Sequence, residues 1–296
     1  MFGFYFGKYL RDKGLLTQDK YDEILAEMNT ARVKMGLMAV TENLMTTKQA
    51  DEINRLQALK DKRFGDLAVE KGYLTDEQVG GLLKKQGDPY LLFVQGLTEK
   101  GILTLDEIDN ELKLYQQEQN FSEDELAALK SGDIDRIVPL FIKAPGISDL
   151  AKEHIALVAR NMVRFIDNTV TIAAAEIVSD YEAEYMARQD LEGDFYLLTA
   201  FCGDGIKEMA VKYGNEEFSQ VDEDALDAVC EFLNCNNGLF ASKLSEEDKV
   251  IDMLPPLMYV NPVKIRANQI IKIPFIVFGK QIYLLLKYGN DFEINS

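Results

Sequence analysis

Residues Asp227–Gly238 read DAVCEFLNCNNG and carry the pattern D-x-x-x-E-x-x-N-x-x-x-G inside an acidic segment running from Val221 to Leu244. At about 100° per residue, Leu226, Val229, Leu233, Phe240 and Leu244 share one apolar stripe, while Asp227, Glu231, Asn234 and Gly238 share another roughly 140° away. The spacing predicts an amphipathic helix with its acid–amide stripe in solvent. Residues three apart are neighbours on a helix surface, so Glu231 and Asn234 are placed to address one partner together. Carboxylates on such a face usually do no more than solvate it. Asn is less expected, because in mid-helix it competes with the backbone for hydrogen bonds and belongs at caps and turns. Asn236, Asn237 and Gly238 add three more poor helix formers, yet Leu239, Phe240 and Leu244 continue the apolar pattern. Something other than propensity holds these residues in a helix.

Working outward, residues 149–175 predict a helix with Ile155, Val158, Met162, Phe165 and Ile166 on its inner face. Tyr181–Arg188 and Asp194–Cys202 read as strands joined through Glu192-Gly193, and Gly205–Lys212 as a short helix. Beyond Pro255-Pro256, the runs IIKIPFIVF and IYLLLKY flank Gly279-Lys280, a two-residue loop with Gly where a type II′ turn needs it. The order is helix, strand pair, helix, strand pair.

These segments together resemble the CheC/CheX family of chemotaxis phosphatases, and CheX more than CheC. Members carry an acidic or Ser residue four positions before a Glu, an Asn three positions after it, and a downstream Pro. The matching residues are Asp227, Glu231, Asn234 and the Pro255-Pro256 pair. The resemblance covers residues 148–296 and implies an α+β domain, an antiparallel sheet covered by helices on one face. CheC-type proteins bear a second motif on the first long helix. Here Glu153 is followed by Ala156, and Asn161 is preceded by Val158, so a single site is expected.

The resemblance implies a hydrolase whose substrate is the aspartyl phosphate of a CheY-like response-regulator receiver domain. Asn234 would orient the attacking water, a task for which a carboxamide suits, since it accepts and donates in fixed geometry. Glu231 would pair with the receiver's active-site Lys. Asp227 would be a secondary contact, and Gly238 would let the partner approach closely. No cofactor of its own is implied, the divalent metal being carried by the receiver. Dimerisation through sheet edges is also implied, although the residues preceding this domain would block that edge.

Those residues form a repeat. GLLT (Gly14–Thr17), NLMT (Asn43–Thr46), GYLT (Gly72–Thr75) and GILT (Gly101–Thr104) recur every 29 residues without insertion, the mark of a supersecondary repeat. Gly or Asn at the first position suits a left-handed helix C-cap, and the Thr suits the N-cap of the next helix. Each copy therefore predicts a helical hairpin. Gln49, Gln78 and Glu107 complete capping boxes, which Lys20 breaks in the first copy. Leu16/Tyr21, Met45/Ala50, Leu74/Val79 and Leu103/Ile108 lie where a hydrophobic staple would. The third copy, RFGDLAVEKGYLTDEQVGGLLKKQ, resembles the N-terminal domain of type II secretion and pilus assembly ATPases, some of which bind cyclic di-GMP through a repeated Arg-Leu-Gly. Arg63 and Gly65 match that motif, Phe64 departs from it, and the preceding copy reads Lys34-Met35-Gly36.

The expected organisation is thus an all-α array of four helical hairpins over residues 1–121, a linker over 122–147 and the CheX-like domain from 148. In the linker, Ser122 with Glu125 predicts one capped helix to Lys130, followed by an extended piece, IVPLFIK.

Composition narrows the function. Residues 1–120 hold 16 basic and 20 acidic side chains and the remainder 16 and 30, for a net charge of −18, which disfavours nucleic acid and anionic membranes as partners. Three cysteines, Cys202, Cys230 and Cys235, are an odd number that suggests reduced thiols and a cytoplasmic location. With the lone His154 they make a poor zinc set, so no metal site is expected. The opening MFGFYFGKYLRDKG lacks a basic region ahead of its apolar residues, and Ile270–Leu286 is broken by Lys272, Pro274 and Lys280, so neither a secretion signal nor a membrane span is expected. Two other classes stay open: a non-catalytic receiver-docking scaffold, and a regulator that senses a cyclic dinucleotide through the repeats.

Overall fold

The computed structural model describes residues 2–28, 30–60 and 62–295. The protein combines helices with an antiparallel sheet and divides into two compact units, Met1–Asp133 and Ile134–Ser296.

In the first unit eight helices form four hairpins: α1 (Phe2–Asp12) with α2 (Gln18–Met28), α3 (Met35–Thr41) with α4 (Thr47–Leu59), α5 (Phe64–Glu70) with α6 (Asp76–Leu83), and α7 (Pro89–Glu99) with α8 (Leu105–Glu118). The turn positions that the repeat marks are left-handed, with φ of 71° at Gly14, 56° at Asn43, 72° at Gly72 and 63° at Gly101. Thr46, Thr75 and Thr104 close full capping boxes with Gln49, Gln78 and Glu107. In the first copy only Thr17 Oγ1 accepts, from the Lys20 amide.

Glycines reveal how the hairpins pair. A Cβ on Gly7 would fall 2.5 Å from the Tyr21 ring and 3.1 Å from Phe93, and one on Gly96 would fall 2.6 Å from Ile24. The first hairpin therefore packs on the fourth. Gly36 lies under Phe64, and Gly65 under Val79 and Met35, so the second packs on the third. A ninth helix, α9 (Glu123–Ser131), is capped by Ser122 and Glu125 and ends at Gly132 with φ of 69°.

The second unit opens with α10 (Ile134–Phe141), where the sequence suggests an extended piece. Pro139 removes one N–H late in a short helix, a small loss beside the burial of Ile137 and Val138. The stretch 122–147 thus holds two helices, one in each unit. Next comes α11 (Asp149–Asn161), whose N-cap Ser148 accepts from the Ala151 amide. It ends in a π-helical turn, Met162–Ile166, well short of residue 175. The stop is made by Asp167, whose Oδ1 accepts from the Thr169 amide at 2.8 Å and whose Oδ2 accepts from the Phe278 amide at 2.9 Å. Thr171 and Ile172 then form the short strand β1.

The strand region is divided more finely than the sequence suggests. β2 (Glu176–Ala183) and β3 (Met186–Gly193) are separate strands with a bend at Glu184-Tyr185, followed by β4 (Leu197–Cys202). After α12 (Ile206–Gly214) and α13 (Glu223–Glu246) come β5 (Ile251–Met253), β6 (Leu257–Tyr259), β7 (Val263–Val277), β8 (Lys280–Tyr288) and β9 (Phe292–Asn295). All pairings are antiparallel, in the order β1-β7-β8-β4-β3-β5, with β2 and β9 also on β7 and β6 also on β3.

The β7–β8 loop is Phe278-Gly279, with φ of 48° and 78°. Positive φ at both central residues is a type I′ turn, shifted one residue from the type II′ turn expected at Gly279-Lys280. Val277 pairs with Lys280 across it, and the Asp167 carboxylate holds the Phe278 amide in place.

β7 is long enough to join two parts of a curled sheet. Val263, Ile265 and Ile270 from its first part pack with Met186, Leu198, Ala200, Cys202 and Leu285 in a core within the curl. The alternate side chains of β3 and β4, among them Gln189, Thr199 and Phe201, face α13 instead, and Phe201 meets Phe232 at 5.8 Å.

Candidate functional site

The organising segment forms one 24-residue helix, α13, with Asp222 capping its start by accepting from the Ala225 amide. Its apolar stripe is buried: Leu226, Val229, Leu233, Phe240 and Leu244 are all at most 1% exposed. Asp227, Glu231 and Asn234 are exposed, and Gly238 is half-buried beside Met253. The structure therefore brings Glu231 and Asn234 together on one open face. Among the described residues Glu231 makes no hydrogen bond or ion pair, which leaves its carboxylate free for an external cation.

Asn234 is held. Its Oδ1 accepts from Gln189 Nε2 at 3.0 Å, and the same Nε2 donates to the Leu254 carbonyl at 3.1 Å. Leu254 also donates its amide to Asp190 O at 2.9 Å, tying the β5–β6 connection to β3. Pro255 and Pro256 follow directly and are exposed, so the downstream Pro pair lies close to Asn234 in space.

Behind this face lies the reason that Asn236 and Asn237 tolerate mid-helix positions. Asn236 Nδ2 donates to Phe232 O at 2.7 Å, and its Oδ1 accepts from Asn161 on α11 at 2.8 Å. Asn237 Nδ2 donates to Gln189 Oε1 at 2.9 Å and to Thr199 Oγ1 at 2.8 Å. Tertiary hydrogen bonds replace what propensity lacks. Gln189 and Thr199, which the sequence did not single out, are cross-strand partners on β3 and β4. The only trace of them in the sequence is the unusual Asn pair that meets them.

His154 lies beneath, fully buried and stacked on Phe240 with centroids 4.1 Å apart. Neither ring nitrogen makes a hydrogen bond. Burial pushes its pKa down to about 3, and the Asn237 carboxamide beside it opposes part of that shift without meeting hydrogen-bond geometry. A buried neutral imidazole on the far side of the helix cannot act as a base for a partner docked at Asn234.

Two of the three thiols are inert as well. Burial pushes both Cys202 and Cys230 up to about 12, so neither supplies a thiolate nucleophile near neutral pH. Among the described residues no group of three His, Cys, Asp or Glu side chains could hold a metal ion, and no helix is long and apolar enough to cross a membrane. What the face offers is a free carboxylate, an anchored carboxamide, and an apolar neighbour in the exposed Met253 beside Gly238.

No family model matches the chain, and no curated protein does. Solved structures similar to it include the chemotaxis protein CheX of Desulfovibrio desulfuricans, 13% identical over 48% of this chain and 99% of that one, with a TM-score of 0.42. CheX of Vibrio vulnificus is 15% identical over 49% of this chain and 100% of its own, at 0.40. The CheX–CheY–BeF3–Mg complex of Borrelia burgdorferi is 16% identical over 48% of this chain and 99% of its own, at 0.37. The expected likeness of the repeats to secretion ATPase domains finds no support in these comparisons.

Proposed function

We propose that the second unit is a cytoplasmic aspartyl-phosphate phosphatase acting on a phosphorylated CheY-like receiver domain in chemotaxis or two-component signalling. The observation that carries this reading is the pairing of an unpartnered Glu231 with a tethered Asn234 on the open face of α13. An acyl phosphate is already activated, and the receiver holds its own divalent metal. The partner therefore needs no nucleophile and has only to place a water in line with phosphorus.

Asn234 fits that task, much as a Gln orients the attacking water in GTPases. Positioning of this kind contributes on the order of 10²-fold in rate. Its tether matters, because a carboxamide already fixed in direction loses less freedom when the partner docks. Glu231, one helical turn away, would pair with the receiver's active-site Lys. Removing one partner from such a desolvated pair costs roughly 2–5 kcal/mol of binding. Asp227 sits at the edge of the same face as a secondary contact, and Met253 beside Gly238 would lie under the partner.

The test is phosphate release from a panel of phosphorylated receiver domains, comparing wild type with Asn234→Ala and Glu231→Ala. The expected result is rapid release by wild type, a loss on the order of 10²-fold with Asn234→Ala at unchanged binding, and weakened binding with Glu231→Ala. Receiver binding without any acceleration of release would sink the phosphatase reading and leave a docking protein.

A further inference from the structure

The groups behind Asn234 decide which end of its carboxamide faces outward. A carboxamide carries an acceptor oxygen and a donor nitrogen on one planar group, so an exposed Asn is free to present either. Here the choice is propagated from two backbone carbonyls, which only accept. Thr199 donates its hydroxyl to Gln189 O at 2.6 Å, which leaves Oγ1 as the acceptor for Asn237 Nδ2 at 2.8 Å. The other Nδ2 hydrogen goes to Gln189 Oε1 at 2.9 Å. Gln189 Nε2 is then the donor end; one hydrogen goes to Leu254 O at 3.1 Å and the other to Asn234 Oδ1 at 3.0 Å. Flipping Gln189 would set an oxygen against the Leu254 carbonyl and two donors against each other at Asn237, inside a site where Gln189 is 2% exposed.

We propose that Gln189 is a positioning residue for Asn234, turning Oδ1 inward and the Nδ2 hydrogens outward toward the docked partner. The consequence for turnover rests on the phosphatase reading above, whereas the order of hydrogen bonds does not. Asn234 meets the phosphoryl group donor first. One Nδ2 hydrogen is aimed at an anionic phosphoryl oxygen, and the Oδ1 lone pair not used by Gln189 accepts a hydrogen of the attacking water. In the flipped amide the oxygen would oppose the phosphoryl oxygens, and two donors would face each other at Gln189.

Two substitutions probe this. Gln189→Met removes the donor without adding charge, and Gln189→Glu keeps the shape while replacing the donor nitrogen by oxygen. Both are expected to lower kcat for phosphate release roughly tenfold, the worth of one hydrogen bond, with the KM for the phosphorylated receiver unchanged. Relative to wild type at each pH, Gln189→Glu should recover as the pH is lowered, because a protonated carboxyl regains an O–H to give to Asn234, and Gln189→Met should not. An unchanged kcat in the folded variants, or a loss confined to KM, would overturn the assignment.

A second measurement is independent of turnover and of how well the Gln189 variants fold. In 15N-edited spectra of the full chain, the Gln189 side-chain amide hydrogens should exchange slowly with solvent. The exposed substitution Asn234→Ala should speed that exchange severalfold, and equal rates would refute the contact. If wild type releases no phosphate from any receiver, the phosphatase reading falls while this exchange comparison still decides the role of Gln189 in holding Asn234.

Discussion

His154 should make the second unit acid-sensitive by an amount that the structure fixes. The imidazole is fully buried, makes no hydrogen bond, and is held at about 3 against an ordinary value of 6.5. Its folded-state pKa is depressed, so it favours the folded state fully above pH 6.5. That contribution is lost as the pH falls toward 3, because the unfolded chain takes up a proton that the folded chain refuses. At pH 5 the unfolded imidazole lies 1.5 pH units below its ordinary value, which at 1.36 kcal/mol per unit is a loss of about 2 kcal/mol relative to pH 8. The figure barely depends on the folded value, because any folded pKa below about 4 leaves the native ring uncharged at pH 5. The assay is urea unfolding of wild type and His154→Met at pH 8 and pH 5, read from amide exchange of α11 and α13 peptides so that the second unit is followed alone. The variant should be about 2 kcal/mol less sensitive to this acid step, since every other titrating group cancels in the comparison. Because the chain has one His, its imidazole resonance gives a direct check. A ring that titrates near 6.5 in the folded protein, or equal acid sensitivity of the two proteins, would refute the argument.

Three further outcomes follow from packing and backbone geometry. Phe278→Asn should stabilise the second unit by about 1 kcal/mol in urea unfolding, because Asn tolerates a left-handed position where an ordinary L-residue costs about 1–2 kcal/mol; a loss of stability would show that the exposed ring contributes more than the strain. Gly7→Ala should destabilise the first unit by about 1–3 kcal/mol through its clash with Tyr21, while Gly80→Ala, in open space on α6, should gain up to about 1 kcal/mol from helix propensity; equal thermal midpoints for the two variants would contradict the packing. Asp190→Ala should cost about 3–5 kcal/mol by stranding the buried Arg188 guanidinium, which Asp190 grips with both carboxylate oxygens; replacing both residues with apolar ones should recover most of that loss, as urea midpoints will show.

Local rules carried the reading of the first unit. A left-handed turn favours Gly or Asn and a helix start favours Thr, so the 29-residue spacing of those residues marks four left-handed turns and the helix starts that follow three of them in full capping boxes. The exposed stripe of α13 was legible for the same reason, since 3.6-residue periodicity is a local property. The departures arose where tertiary partners override local preference. The helix expected to reach residue 175 stops at Asp167 because that carboxylate is claimed by Thr169 and by the distant Phe278 amide. The β7–β8 turn, one residue earlier than expected, is where that same bond lands. Pro139 looked like a breaker, yet the burial of its neighbours keeps α10 helical. Gln189 and Thr199 were invisible because their role depends on the register of β3 against β4, which no periodicity encodes.

The nested pairing of the hairpins, first with fourth and second with third, gives the repeat a fold history unlike that of an open solenoid. In a stack that only touches neighbours, a terminal copy can be trimmed or added and the rest survives. Here the outermost copies meet, residue 7 against residue 93, and the fourth also holds the second, Gln95 Oε1 accepting from the Lys34 amide at 2.7 Å, so losing one copy strips the faces of more than one other. Assembly inherits the same asymmetry: the inner pair closes over a short span of chain, and the outer pair must wait for a long loop to close around it.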